Sequence, residues 1–152
     1  MKLQLYDAST LKDDDPQKAW LTQAQVTRPL LDSMLTVAAH FNVTLTASVF
    51  GIPQAQMAKA AGLTTIKIGS GEYNRRELAA VCCELFVGVG TVWIGRGLGD
   101  MPFDDHIAMT LGASDRRVIY FRGVSQYPTP YFRGLARLTQ SPKPKSGWGW
   151  SD

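Results

Sequence analysis

The sequence predicts an α/β fold built on parallel strands, and two observations carry that expectation. Short apolar or β-branched runs alternate along the chain with amphipathic segments of helical length. Polar residues gather just past the ends of those runs: Ser48, Ser70, Glu72, Arg96, Ser125, Tyr127 and Ser151. Repeated strand–helix alternation implies parallel strands joined by right-handed crossovers. A barrel and an open doubly wound sheet both satisfy it, and in both the carboxyl ends of the strands carry the site. No GxGxxG or phosphate-loop lysine motif argues for a nucleotide-binding open sheet. The glycines of Gly95-Arg96-Gly97-Leu98-Gly99 have the wrong spacing, and Pro102 interrupts the approach to a helix.

Lys2-Leu3-Gln4-Leu5 is the first expected strand. A polar loop holds Asp13, Asp14, Asp15 and Pro16, with the three aspartates solvated rather than gathered for a metal. From about Thr27 a helix is expected, with Leu30, Leu31, Met34, Leu35, Val37, Ala38 and Phe41 at helical spacing. Thr27 is suited to cap it and Pro29 is tolerated in its first turn. Val43 to Ser48 forms a strand, and Pro53 to Ala61 a short helix stopped by Gly62. Thr64 to Ile68 is a strand, followed by a helix from Asn74 to about Phe86. Gly90 to Gly95 and Arg117 to Phe121 are further strands, and weak helical patterns cover Asp104 to Leu111 and Tyr131 to Leu138. Gly149-Trp150-Ser151-Asp152 reads as the start or middle of one more strand.

The chain of 152 residues is long enough for one core, and a single domain over residues 1–152 is expected. Apolar residues make up 45% and charged residues 19%, which excludes a disordered chain. A net charge of +3 is too small to name a partner. No apolar run approaches the ~20 residues that cross a bilayer, and no leader pattern follows Lys2, so a cytoplasmic protein is expected. Adjacent Cys82 and Cys83 lie in a helical pattern, which suits buried thiols better than a disulfide. His40 and His106 lie on helices, where packing or surface roles are expected.

Lys67-Ile68-Gly69-Ser70-Gly71-Glu72 concentrates the chemistry. Alternation puts Ile66 and Ile68 on one face of their strand and Lys67 on the other. A lysine and a serine hydroxyl at a strand's carboxyl end suit a phosphate or carboxylate. A plain turn with a solvated lysine satisfies the same six residues.

Together these pieces resemble the N-acetylneuraminate (sialic acid) synthase family. The resemblance rests on Met1-Lys2-Leu3-Gln4, Thr46 to Phe50, Ile66 to Glu72, Val118 to Pro130 with its Ser-x-Tyr-Pro-Thr-Pro, and Gly149 to Asp152. It implies an incomplete (β/α)8 TIM-type barrel with about six parallel strands, lacking the antifreeze-like domain that usually follows. The implied activity is a phosphoenolpyruvate-dependent, carbon–carbon bond-forming transfer onto an N-acetylated hexose such as N-acetylmannosamine. A divalent metal, manganese or magnesium, polarises the acceptor aldehyde in that family.

Residue by residue, the resemblance makes Lys2 and Lys67 the lysines that hold phosphoenolpyruvate. Ser48, Ser70 and Ser151 supply hydroxyls, and Ser125 stands where many members have asparagine. Glu72 and Tyr127 lie beside the acceptor and the reacting carbons. Gly95-Arg96-Gly97 departs from a Ser-Thr-Gly pattern, so Arg96 replaces a hydroxyl with a guanidinium that either binds phosphate or blocks the pocket. Arg122 replaces a common histidine. Both family metal ligands are missing: one is expected directly after Asp152, the other belongs to a strand beyond it.

Such a barrel exposes two edges. A second chain, a second copy, a longer reading frame or some other cover for the edges is therefore expected. Loss of the metal ligands removes the Lewis acid, so anion binding is expected to outlast turnover by this chain alone. The alternative is a non-catalytic anion-binding or assembly module derived from the same family. Nucleic-acid binding through Arg133, Arg137, Lys143, Lys145, Trp148 and Trp150 is set aside, because solvated surface accounts for those residues.

Overall fold

The computed structural model describes residues 1–95, 118–122 and 148–150. Six parallel strands run through them: β1 (Lys2–Leu5), β2 (Thr46–Val49), β3 (Thr65–Ile68), β4 (Thr91–Gly95), β5 (Val118–Arg122) and β6 (Trp148–Trp150). They lie in one sheet in chain order, each paired with the next. A doubly wound sheet reverses its strand order at a switch point. No reversal occurs among these strands, so the winding is that of a barrel, and β1 and β6 are not paired with each other. The expected helices near residues 104–111 and 131–138 lie outside the described residues.

Among the described residues, four α-helices accompany the sheet: α1 (Lys18–Ala24), α2 (Arg28–His40), α3 (Ile52–Ala60) and α4 (Arg76–Phe86). The core is the helix-facing side of the strands. Leu5, Ala47, Val49, Ile66, Ile68, Val92 and Ile94 are buried there with Leu31 and Ala38 of α2, Ala55 and Ala58 of α3, and Leu78, Cys82 and Phe86 of α4. Full burial of an Ile or Phe side chain contributes about 1.5–3 kcal/mol, so this face anchors the strand orientation.

Several boundaries differ from the sequence expectation, each for a local reason. β2 begins at Thr46 rather than Val43, because Asn42 adopts a left-handed φ of 52° and the Val43 amide returns to the Ala38 carbonyl at 2.8 Å. Those residues finish α2 before the strand can start. Thr27 occupies the N-cap of α2, and a proline follows in the first turn, but its hydroxyl makes no capping bond. α4 starts at Arg76, since the Ser70–Glu72 3-10 turn and the Arg75 amide bonded to Glu72 carry the chain that far.

The polar loop after β1 contains a helix that the pattern did not reveal: α1 buries none of its residues. It therefore has no apolar stripe to read. Asp13 pairs with Lys18 at 2.7 Å beside that helix, and the Asp15 carboxylate accepts the Gln17 amide at 2.8 Å.

Two glycines have sharply different roles. Gly62 stops α3 with a φ of +87° and has open space around it. Gly90 precedes β4, where a Cβ would collide with the Thr64 carbonyl oxygen that accepts the Thr91 amide at 2.8 Å. Gly62→Ala should cost ~1–2 kcal/mol of backbone strain. Gly90→Ala should cost more, because backbone must move and the entry to the β3–β4 pairing moves with it. Urea unfolding of the two variants checks this order; equal losses would contradict it.

Candidate anion-binding site

The sheet's second face is polar over β1 to β3 and carries Trp93, Ile119 and Phe121 over β4 and β5. Ile66 and Ile68 are fully buried against the helices, so strand alternation turns Lys67 to the opposite side. Parallel pairing places Gln4 beside Ser48, Ser48 beside Lys67, Lys67 beside Trp93, and Trp93 beside Ile119. One step further along the strands, Gly95 pairs with Phe121 and Phe121 with Gly149.

Ser48 is 6% exposed, and its hydroxyl has no protein partner among the described residues. A buried hydroxyl without a partner costs about 1–3 kcal/mol, which a ligand can recover. Ser70 reaches the same face. A Cβ at Gly95 would lie 3.2 Å from Ser70 Oγ and 3.3 Å from its amide nitrogen, so the missing side chain makes room for the serine. Glu72 folds back over the end of β3, its Oε2 2.9 Å from where a Gly69 Cβ would stand. Burial raises its carboxyl above the usual range, and Arg75 opposes that shift. Arg75 also donates to the Phe50 carbonyl, tying this turn to the end of β2.

Lys67 is partly buried. Desolvation lowers its pKa from the ordinary lysine value, and the charge of Lys2 lowers it further. Lys2 is exposed at the start of β1, in register with Thr46, one alternation below the row of Ser48 and Lys67. The two ammonium groups thus share a face and repel each other. Lys67 Nζ lies 5.6 Å from the centroid of the Phe121 ring, which meets Trp93 at 5.3 Å and 56°.

Of the sequence-derived candidates, the structure brings together Ser48, Lys67 and Ser70, with Lys2 and Glu72 at the margins. Arg96, Ser125, Tyr127 and Ser151 lie outside the described residues. Gln4, Trp93 and Phe121 join the same face without having been anticipated there. Alternation from Lys2 and from Gly95 would have found Gln4 and Trp93; Phe121 needed the register of β5. Two cations and two hydroxyls on one face are matched to a small multivalent anion.

Among the described residues no three of His, Cys, Asp and Glu come together in a way that fits a metal ion. His40 ends α2 at the surface, its ring against Phe41 at 4.9 Å, and His106 lies outside the described residues. Nor does any helix among them have the length and apolarity to cross a membrane.

A family model described as the NeuB family matches residues 2–152. The chain belongs to the NeuB family. The sequence resemblance and the barrel winding therefore agree. The same fold recurs in solved structures similar to this chain. An N-acetylneuraminic acid (sialic acid) synthetase from Leptospira borgpetersenii serovar Hardjo-bovis, in complex with citrate, superposes with a TM-score of 0.83 at 20% identity. The match covers 99% of this chain and 53% of that one.

A putative spore coat polysaccharide biosynthesis protein E from Chromobacterium violaceum gives 0.76 at 17%, covering 98% of this chain and 46% of that one. A truncated 3-deoxy-D-arabino-heptulosonate 7-phosphate synthase from Thermotoga maritima gives 0.58 at 10%, covering 98% and 61% respectively. These identities establish the shared fold, and the chain spans about half the length of the first two structures. Among curated proteins, none matches the chain.

The two cysteines of this NeuB-family chain stand apart from the polar face. Both are buried in α4 without a disulfide, and burial, then the neighbouring Cys83, pushes the Cys82 thiol up to about 12. A thiol held that high is protonated near neutral pH and unreactive. Folded protein should consume negligible Ellman's reagent, with both thiols released only as urea unfolds it. Rapid labelling of the native chain would show α4 to be less tightly packed than its contacts indicate.

Proposed function

We propose that this chain binds phosphoenolpyruvate on the polar face of its sheet, as the anion-holding part of a sialic acid synthase-type condensation. One observation carries the reading: the buried Ser48 hydroxyl, without a partner among the described residues, stands in register with Lys67, with Ser70 close behind at Gly95. Membership in the NeuB family supplies the chemical class. The acceptor proposed from that class is an N-acetylated hexose such as N-acetylmannosamine.

In the proposed reaction the methylene carbon of the enol attacks the acceptor's open-chain aldehyde, forming a carbon–carbon bond. The aldehyde oxygen takes up a proton. Water adds at C2 of the former enol, and the tetrahedral adduct breaks its C–O bond to release inorganic phosphate. Lys67 and Lys2 offset the charge of the phosphate and carboxylate, while Ser48 and Ser70 donate hydrogen bonds that fix the anion's orientation. Glu72, whose burial raises its pKa, is proposed to hold a proton near the reacting carbons. Arg96, Ser125, Tyr127 and Ser151 are proposed to complete the anion and acceptor contacts. The described residues offer no metal ligand set, and no step is assigned to a metal.

Calorimetric titration with phosphoenolpyruvate tests the binding half. Lys67→Ala should weaken binding about 10- to 100-fold and Ser48→Ala about 3- to 10-fold, as expected for loss of a charge-assisted and a neutral hydrogen bond. No heat with the wild-type chain would refute the reading. Adding N-acetylmannosamine and assaying phosphate release then separates a catalyst from a binding module.

The pH profile gives an independent check. Lys67 binds an anion when protonated, and its pKa is below the usual 10.5. Above about pH 8, where the phosphate is fully ionised, affinity should decline before the ordinary lysine range is reached. A profile flat to the end of that range would place the essential cation elsewhere.

A further inference from the structure

We infer that Phe121 is a positioning residue for the anion site: its ring holds the Lys67 ammonium over the row that contains Ser48. The inference deepens the proposed reading, but it stands on its own geometry. Lys67 Nζ is 5.6 Å from the Phe121 ring centroid, within the range where the negative face of an aromatic ring attracts a cation. Phe121 is in turn fixed from the side by Trp93, at 5.3 Å and 56°.

The backbone explains why this ring reaches this lysine. Lys67 and Trp93 are register partners on β3 and β4, and Gly95, two residues beyond Trp93, is the partner of Phe121 on β5. Alternation therefore puts Lys67, Trp93 and Phe121 on one face, with the ring one step nearer the carboxyl ends than the lysine's own row. Gly95 has no side chain to stand between them, and Phe121 faces Gly149 on its other side.

An aromatic face restricts the flexible four-carbon stem and attracts the ammonium charge without accepting a conventional hydrogen bond from it. It also keeps the ammonium partly out of water, consistent with desolvation being the main cause of its lowered pKa. Lys2 approaches from the opposite strand edge and repels Lys67, and the ring opposes displacement of the stem by that repulsion.

The test combines a spectroscopic readout with a binding one, using the full chain and the variants Phe121→Leu and Phe121→Tyr. A proton above an aromatic face is shifted upfield. The Lys67 Hε resonances, assigned by their loss in Lys67→Arg, should be upfield in the wild type, return to ordinary values in Phe121→Leu, and remain upfield in Phe121→Tyr. Phosphoenolpyruvate affinity should fall about five- to tenfold in Phe121→Leu, the size of a partly desolvated cation–π contact, and be retained in Phe121→Tyr.

Ordinary Hε shifts in the wild type would overturn the inference, as would a Leu variant that keeps both shift and affinity. If Phe121→Leu fails to fold, the wild-type and Tyr spectra still decide it. Upfield shifts without any phosphoenolpyruvate binding would uphold the role of the ring and refute the choice of ligand.

Discussion

Burial of Ile66 and Ile68 is the constraint on which the rest of this structure depends. The strand period of two leaves no choice once those side chains enter the helix-covered core: Lys67 must emerge on the other face. Parallel register then passes the decision along the sheet. Val49 and Ala47 enter the same core, so Ser48 emerges beside Lys67, and Val92 and Ile94 do likewise for Trp93. A polar face is thus specified by apolar residues that never touch it. A one-residue slip in β3 would bury a lysine and expose two isoleucines, so hydrophobic free energy enforces the placement of the cation.

How far the sequence revealed this follows from the same logic. Among the described residues, the six strands and three of the four α-helices were legible from short apolar or β-branched runs and from helical spacing. α1 was not, because it buries none. The start of β2 was misplaced because Val43 is β-branched yet closes α2, a role set by the left-handed backbone at Asn42 rather than by side-chain propensity. The choice between barrel and doubly wound sheet needed strand order, which periodicity does not encode. Within the site, residues of one strand could be assigned to a face by counting. Phe121 over Lys67 depends on the pairing of β4 with β5, and its register is a tertiary fact.

Electrostatics makes the unliganded face a compromise. Desolvation lowers the affinity of Lys67 for its proton, and the charge of Lys2 lowers it further. Under the proposed reading, an arriving anion removes that penalty, so part of its binding energy is relief of repulsion already present in the protein. Glu72 does not neutralise the pair: the charge acting on it is that of Arg75, which the Phe50 carbonyl holds at the end of β2.

The contact between Ser70 and the bare backbone of Gly95 has an evolutionary corollary. With Ser70 Oγ and its amide nitrogen so close to the direction a side chain would take, positions 70 and 95 draw on the same small volume. Their substitutions should be strongly epistatic. A descendant gaining bulk at 95 must first surrender or redirect the hydroxyl at 70, so the two sites are free to drift only as a pair.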